Sequence, residues 1–239
     1  GFGANRGLPT PTVGMMRELV AAAHEENIPV FLHANSQKAQ AFAVAAGVDV
    51  IAHGMWEDFW VGSEQLASEA EQVLDAIAGS SMGYQPTMRV IHGLHDLFVE
   101  EYFDDARLVH AAPASILAWH RSEEGGWFRE EVRRDTGGPD PARGYAAMLR
   151  GLDRVIARLA RNDTRFLFGT DTPGMPTYAH LPGLNGRLEM QKWIDAGISE
   201  EQLFRALTIE NARAVGLQEE LGSVEPGKIA HLLLLRDDP

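Results

Sequence analysis

Three polar residues stand directly after three apolar runs. His33 follows Ile28-Pro-Val-Phe-Leu32, His53 follows Val48-Asp-Val-Ile-Ala52, and Asp171 follows Phe166-Leu-Phe-Gly-Thr170. Neutral imidazole is a good ligand for zinc and similar ions. A carboxylate beside it can ligate the same ion or take a proton from its water. A single histidine at a strand end is more often packed or hydrogen-bonded than a ligand. The weight therefore lies in the shared placement, because parallel α/β folds bind ligands at the C-terminal ends of their strands.

The elements that must position these residues alternate. An amphipathic helix is expected over residues 13–26, with Met15, Met16, Leu19, Val20 and Ala23 on one face. A strand at 28–32 follows, then a helix capped by Ser36 and stopped by Gly47, then a strand at 48–52. Ser63 is expected to cap a helix reaching Ala78, and a third strand covers 81–85. Residues 88–139 read as a helical insertion, broken at Gly125-Gly126 and Gly137-Gly138-Pro139. A strongly amphipathic helix covers 141–161 and a fourth strand 166–170; further helices fall near 184–196, 199–206 and 208–216, and an apolar strand at 232–235. Alternating strands and helices mean an α/β fold with parallel strands. The pattern does not separate a closed barrel from an open sheet.

Composition narrows the function. The 239 residues carry a formal charge of −13, which argues against nucleic acid and against a polybasic membrane contact. There is no cysteine, so disulfides, thiolate catalysis and cysteine metal sites are excluded. No stretch is long and apolar enough to span a bilayer. The first residue is not Met, so an upstream segment is expected and the compartment, cytoplasmic or exported, stays open.

A resemblance sharpens this reading. Pro29-Val-Phe-Leu-His33-Ala-Asn-Ser36 and Ala45-Ala-Gly-Val-Asp-Val-Ile-Ala-His53-Gly54 resemble the fifth and sixth strands of the amidohydrolase superfamily. Tyr84-Gln-Pro-Thr87 resembles the end of their seventh strand, and Leu167-Phe-Gly-Thr-Asp171-Thr-Pro173 their eighth. Ala206-Leu-Thr-Ile-Glu-Asn-Ala-Arg213 and Leu221-Gly-Ser-Val-Glu-Pro-Gly-Lys-Ile-Ala230 resemble their C-terminal signature. The flavour is that of the imidazolonepropionase- and prolidase-like branch.

The resemblance implies the C-terminal half of a (β/α)8 barrel over residues 1–220, with an insertion at about 88–139, and the start of a small β-sandwich at 221–239. It implies His33, His53 and Asp171 as metal ligands, with Asp171 also catalytic as acid and base. Tyr84, Gln85 and His180 are candidates to bind substrate. The implied cofactor is one or two divalent ions, zinc foremost. The implied reaction is hydrolysis of an amide, cyclic amide or amidine C–N bond in a small molecule or peptide, and a homo-oligomer is compatible with it.

Two features depart from the family. No His-x-His pair occurs, and the fourth-strand Lys has no counterpart. Four strands cannot close a barrel, so the chain taken alone is expected to be inactive and to bind metal weakly. The alternative is a non-catalytic barrel fragment serving as a binding module. A metal-independent lyase or isomerase would require a phosphate loop or a strand-end Lys, and neither is evident. Other polar residues read more plainly. His92 and His95 are expected to be a solvated pair, His24 to be exposed, His231 to have a surface or packing role, and Trp56, Phe59 and Trp60 to be core. Glu123-Glu124 and Glu130-Glu131 are expected to be solvated helix faces.

Overall fold

The structure is a computed structural model and describes residues 10–59, 66–136 and 140–236. The expectations for Trp60, Ser63, Gly137-Gly138-Pro139 and the two chain ends lie outside the described residues. Helix α1 (Val13–Glu25) begins where the Thr12 hydroxyl accepts the Met15 N–H. Strand β1 (Phe31–His33) leads to α2 (Gln37–Ala46), capped by the Ser36 hydroxyl and ended by Gly47 at φ 75°. Strand β2 (Val50–Ala52), helix α3 (Ser68–Ala78) and strand β3 (Gly83–Gln85) complete two successive strand–helix–strand units.

The three strands form one parallel sheet in the order β1-β2-β3. Register places Leu32, Ile51 and Tyr84 in one row, and His33, Ala52 and Gln85 in the next. Because side chains alternate across a sheet, these rows face opposite ways. The Leu32 row packs into the main core with α2, α3 and α9 (Pro141–Arg161). The opposite face is buried at its centre and open at its edge. Val50 and Leu167 meet Ala214 there in a small cluster of their own, while Phe31 is 42% exposed on the edge strand.

The expected fourth strand is shorter than its apolar run. Tyr84 donates to the Arg165 carbonyl at 2.8 Å and accepts from the Leu167 N–H at 2.9 Å, forming a single parallel bridge between Tyr84 and Phe166. The next residue leaves the ladder. The Phe168 N–H donates to Asn211 Oδ1 at 3.1 Å, and its carbonyl accepts from Asn211 Nδ2 at 3.0 Å. One side-chain amide thus substitutes for a neighbouring strand. The expected strand at 232–235 does not form. Leu233 and Leu234 are 90% and 100% exposed, and among the described residues no strand neighbours them.

Helix α9 carries the core's longest face. Tyr145, Met148, Leu149, Leu152, Val155, Ile156 and Leu159 recur at helical spacing and are buried, and the helix starts with Asp140 accepting the Arg143 N–H. Residues 89–135 fold as five helices: α4 (Arg89–Asp96), α5 (Glu100–Phe103), α6 (Leu108–Ala111), α7 (Ala114–Arg121) and α8 (Trp127–Asp135). Of these, α4 belongs to the main core through Val90, Ile91 and Leu94. Leu108, Ala112 and Leu117 form a separate cluster with Leu184 and Leu188 of α10 (Leu184–Asp195). Helix α11 (Glu200–Arg205), opened by a Ser199–Gln202 capping box, continues through one π-helical turn at Ala206–Glu210 into α12 (Asn211–Ala214).

Candidate active site at the strand ends

His33 is the last residue of β1 and His53 the first after β2. Their rings touch, with centroids 4.3 Å apart and planes at 71°. The backbone explains the meeting. His53 donates its N–H to the Gln85 carbonyl at 2.8 Å, then turns at φ 82°. Gly54 follows, and a Cβ there would lie 2.3 Å from Leu152 Cδ1, so the turn is pressed against α9 where only glycine fits.

A buried side chain brackets the pair from behind. Gln40 of α2 donates to the Ala34 carbonyl at 3.0 Å and the His53 carbonyl at 3.3 Å, and also to the Tyr84 hydroxyl at 3.1 Å. The chain segments carrying both imidazoles are thereby tied to one amide. Sequence reasoning missed Gln40. Its signal was a polar residue at 40 on the same three-residue spacing as buried Ala43 and Ala46.

Thr87 fixes the His53 ring. Its Oγ1 lies 2.7 Å from Nδ1, leaving Nε2 as the nitrogen not held by this bond. This is the arrangement by which an outer hydroxyl or carboxylate sets a ligand's tautomer. Thr87 is buried and sits at φ 45°. Asp171 likewise sits at φ 53°. His53 and Thr87, just beyond strands β2 and β3, and Asp171, five residues past the bridge at Phe166, are thus three of the five non-glycine residues in left-handed backbone among the described residues. Such conformations cost about 1–3 kcal/mol each and concentrate at functional sites.

The electrostatics favour neutral imidazoles. Burial, and then the neighbouring His33, push the His53 pKa down to about 4. Burial also lowers His33, with the Asp171 carboxylate opposing it. Burial raises the Asp171 pKa, with His33 opposing in turn. Asp171 is thus within electrostatic reach of His33. Among the described residues, no group of three or more His, Asp or Glu side chains is arranged to hold a metal ion. What the chain does offer is two adjacent nitrogen donors, both held neutral, with a carboxylate on the His33 side.

The other candidates fall elsewhere. Tyr84 is fully buried on the helix-facing row, where its oxygen accepts from Gln40 and from the Met55 N–H at 3.1 Å. Gln85 shares a row with His33 and packs against Gly169. His180 is buried. Its Nε2 donates to the Arg89 carbonyl at 2.7 Å, its ring fills the space where a Gly93 Cβ would stand, and burial lowers its pKa to about 4.

Several plainer readings can be compared with their surroundings. His92 and His95 are not a solvated pair: among the described residues His92 Nε2 is buried without a hydrogen-bond partner, and burial followed by Arg89 lowers its pKa to about 3. His24 is exposed yet pairs with Asp49 at 2.8 Å. Trp56 and Phe59 are core, as expected.

Comparison with known proteins agrees with the sequence resemblance. Residues 144–239 match the profile of the amidohydrolase family. No curated protein matches the chain. Three solved structures share its fold. The first is a Xaa-Pro dipeptidase with methionine bound in its active site, at 21% identity and TM-score 0.57, covering 93% of this chain and 42% of its own. The second is a provisionally assigned prolidase from Bifidobacterium longum, at 20% identity and TM-score 0.56, covering 92% and 44%. The third is an amidohydrolase, at 19% identity and TM-score 0.55, covering 92% and 40%. At these identities the likeness is one of fold. The chain spans about two fifths of the length of these structures, and its resemblance to the amidohydrolase family rests on both the profile and the fold.

Proposed function

We propose that this chain forms the strand-end half of a metal-dependent hydrolase that cleaves C–N bonds of a small molecule or peptide, amide, cyclic amide or amidine. The observation that carries the reading is the His33–His53 contact at the C-terminal ends of adjacent parallel strands. The sheet is read as strands five to eight of a (β/α)8 barrel. Support comes from its open edge, where Phe31 of the edge strand β1 is 42% exposed. A parallel sheet is normally covered on both faces.

The donor chemistry fits a divalent ion, with zinc the first candidate. His33 and His53 would hold it, with Asp171 beside them. When bound, such an ion supplies Lewis acidity that brings the pKa of a water toward about 7. The chain's own residues do the rest. Thr87 and Gln40 hold the His53 ring and its backbone in place. Asp171, whose pKa is raised by burial, takes the proton of the attacking water and returns it to the leaving nitrogen. A carboxyl group shifted toward neutrality is better suited to both tasks than an ordinary one. Two imidazoles and one carboxylate fall short of a two-ion site, so the 239-residue chain by itself binds metal weakly and turns over no substrate.

Zinc content and hydrolysis of Xaa-Pro dipeptides and cyclic amides, measured on the full-length protein and on H33A, H53A and D171N, test this. The expected result is loss of zinc in both histidine variants and loss of turnover in all three. Unchanged zinc content in H33A and H53A would falsify the reading.

A further inference from the structure

One cavity lies apart from the histidine pair. It measures about 480 Å³ and lies between the helices α5, α7 and α8, the start of α9, and the segment Pro176–Tyr178. His33, His53 and Asp171 are not among its lining residues. The volume suits a small molecule.

Its lining is unusual for a chain of charge −13. Three arginines, Arg121, Arg129 and Arg133, face two carboxylates, Asp104 and Asp140, so the arginines outnumber the acids. Asp140 is already engaged in capping α9. Arg121 donates at 3.3 Å both to the largely exposed Asp104 and to the Phe103 carbonyl. Among the described residues, Arg129 and Arg133 form ion pairs with Glu130 of their own helix, at 3.7 and 3.5 Å, too far for good hydrogen bonds. The cavity thus holds guanidinium groups whose partners are loose and exposed.

Aromatic rings organise those groups. Arg121 stacks on Phe103 at 4.3 Å, and Arg133 lies over Phe98 at 5.5 Å. Phe103 is itself braced edge-on by Tyr178 at 4.2 Å. A guanidinium laid on a ring keeps its edge N–H donors for a planar two-oxygen acceptor. Phe98, Phe103, Phe128 and Tyr178 supply the apolar part of a lining that is mostly polar.

We propose that this cavity is a binding site for a small organic carboxylate with a flat apolar body. The carboxylate pairs with Arg121 and Arg133, and the body lies against the phenylalanine wall. The site is separate from the histidine pair, so it stands whether or not the hydrolase reading does.

The test is calorimetric titration of the 239-residue chain with N-acetyl-L-phenylalanine, its neutral amide, and inorganic phosphate. The expected result is saturable binding of the carboxylate, with the amide and phosphate each weaker by about tenfold or more. The R121Q/R133Q double variant should lose a similar factor. Both side chains are about half exposed, so the variant should fold, and circular dichroism checks that it does. H33A and H53A should bind the probe as the unaltered chain does. Equal affinity for acid and amide, or an unaffected double variant, overturns the proposal. So does phosphate binding as tight as the acid's, which would mean a bare anion site. Loss of binding in H33A or H53A overturns it as well, because the probe would then sit at the histidines.

Discussion

Thr87→Val tests how firmly the His53 ring is held. The two side chains are nearly isosteric and both β-branched, so the cost of φ 45° at this position is similar before and after. What changes is the 2.7 Å bond between Oγ1 and His53 Nδ1. Valine leaves the ring nitrogen unpartnered in a setting where His53 is 8% exposed. An unsatisfied buried polar atom costs about 1–3 kcal/mol. Urea unfolding should therefore show Thr87→Val less stable by that amount, while Thr87→Ser, which keeps the hydroxyl, loses less than about 1 kcal/mol. If His53 holds a metal through Nε2, the freed ring should also lower zinc affinity by roughly 10–100-fold. Nitrogen NMR of the imidazole reports the tautomer directly. Unchanged stability, zinc affinity and ring shifts in Thr87→Val would mean the hydroxyl orients nothing, and the account of the site would fail with it.

Three further substitutions probe the surrounding framework. His180 has a folded pKa near 4 against a usual 6.5, so its contribution is complete above about pH 6.5 and is lost as pH falls toward 4. His180→Gln keeps a donor for the Arg89 carbonyl but does not titrate. Its unfolding free energy should fall about 2 kcal/mol less between pH 7 and pH 5 than the parent's, and parallel pH curves would refute this. Asn211→Ala frees both backbone groups of Phe168. It should cost about 2 kcal/mol and speed hydrogen exchange at the Phe168 amide, whereas unchanged exchange there would count against the side-chain clamp. Gly54→Ala drives a methyl into Leu152 and should cost about 1–3 kcal/mol. The cost should shrink in a Leu152→Ala background; equal costs in both would rule out the clash.

The sequence showed the periodic elements well, for physical reasons. Helix α9 was legible because seven apolar residues mark one stripe and Asp140-Pro141 marks its start. Strands β1 to β3 were legible as short apolar runs ending in polar residues, and the placement of His33 and His53 at their ends followed. Contacts distant in sequence were not legible. Gln40 reads as one polar residue in an alanine-rich helix, and only the fold brings it to the Ala34 and His53 carbonyls. His180 reads as a pocket-lining loop residue, and it is instead buried where Gly93 leaves room for it. The run at 232–235 has the composition of a strand, but composition does not supply a partner, and its leucines remain exposed.

The strained positions carry the remaining argument. Glycine would adopt the left-handed backbone at 53, 87 and 171 without cost, yet the chain places His, Thr and Asp there. At 53 the strain is offset by bonds at three points of the residue: the N–H to Gln85, the carbonyl from Gln40, and the ring to Thr87. A fold has no stability reason to keep an imidazole in a conformation that needs so much support. The support makes sense if the ring's direction matters, because a glycine would relieve the strain but could not present a nitrogen beside His33. The same reasoning applies to Asp171, whose backbone turns left-handed just where its carboxylate comes within reach of His33. Three costly turns, two beyond the ends of β2 and β3 and one past the Phe166 bridge, are thus the backbone's counterpart of the side-chain chemistry proposed for this rim.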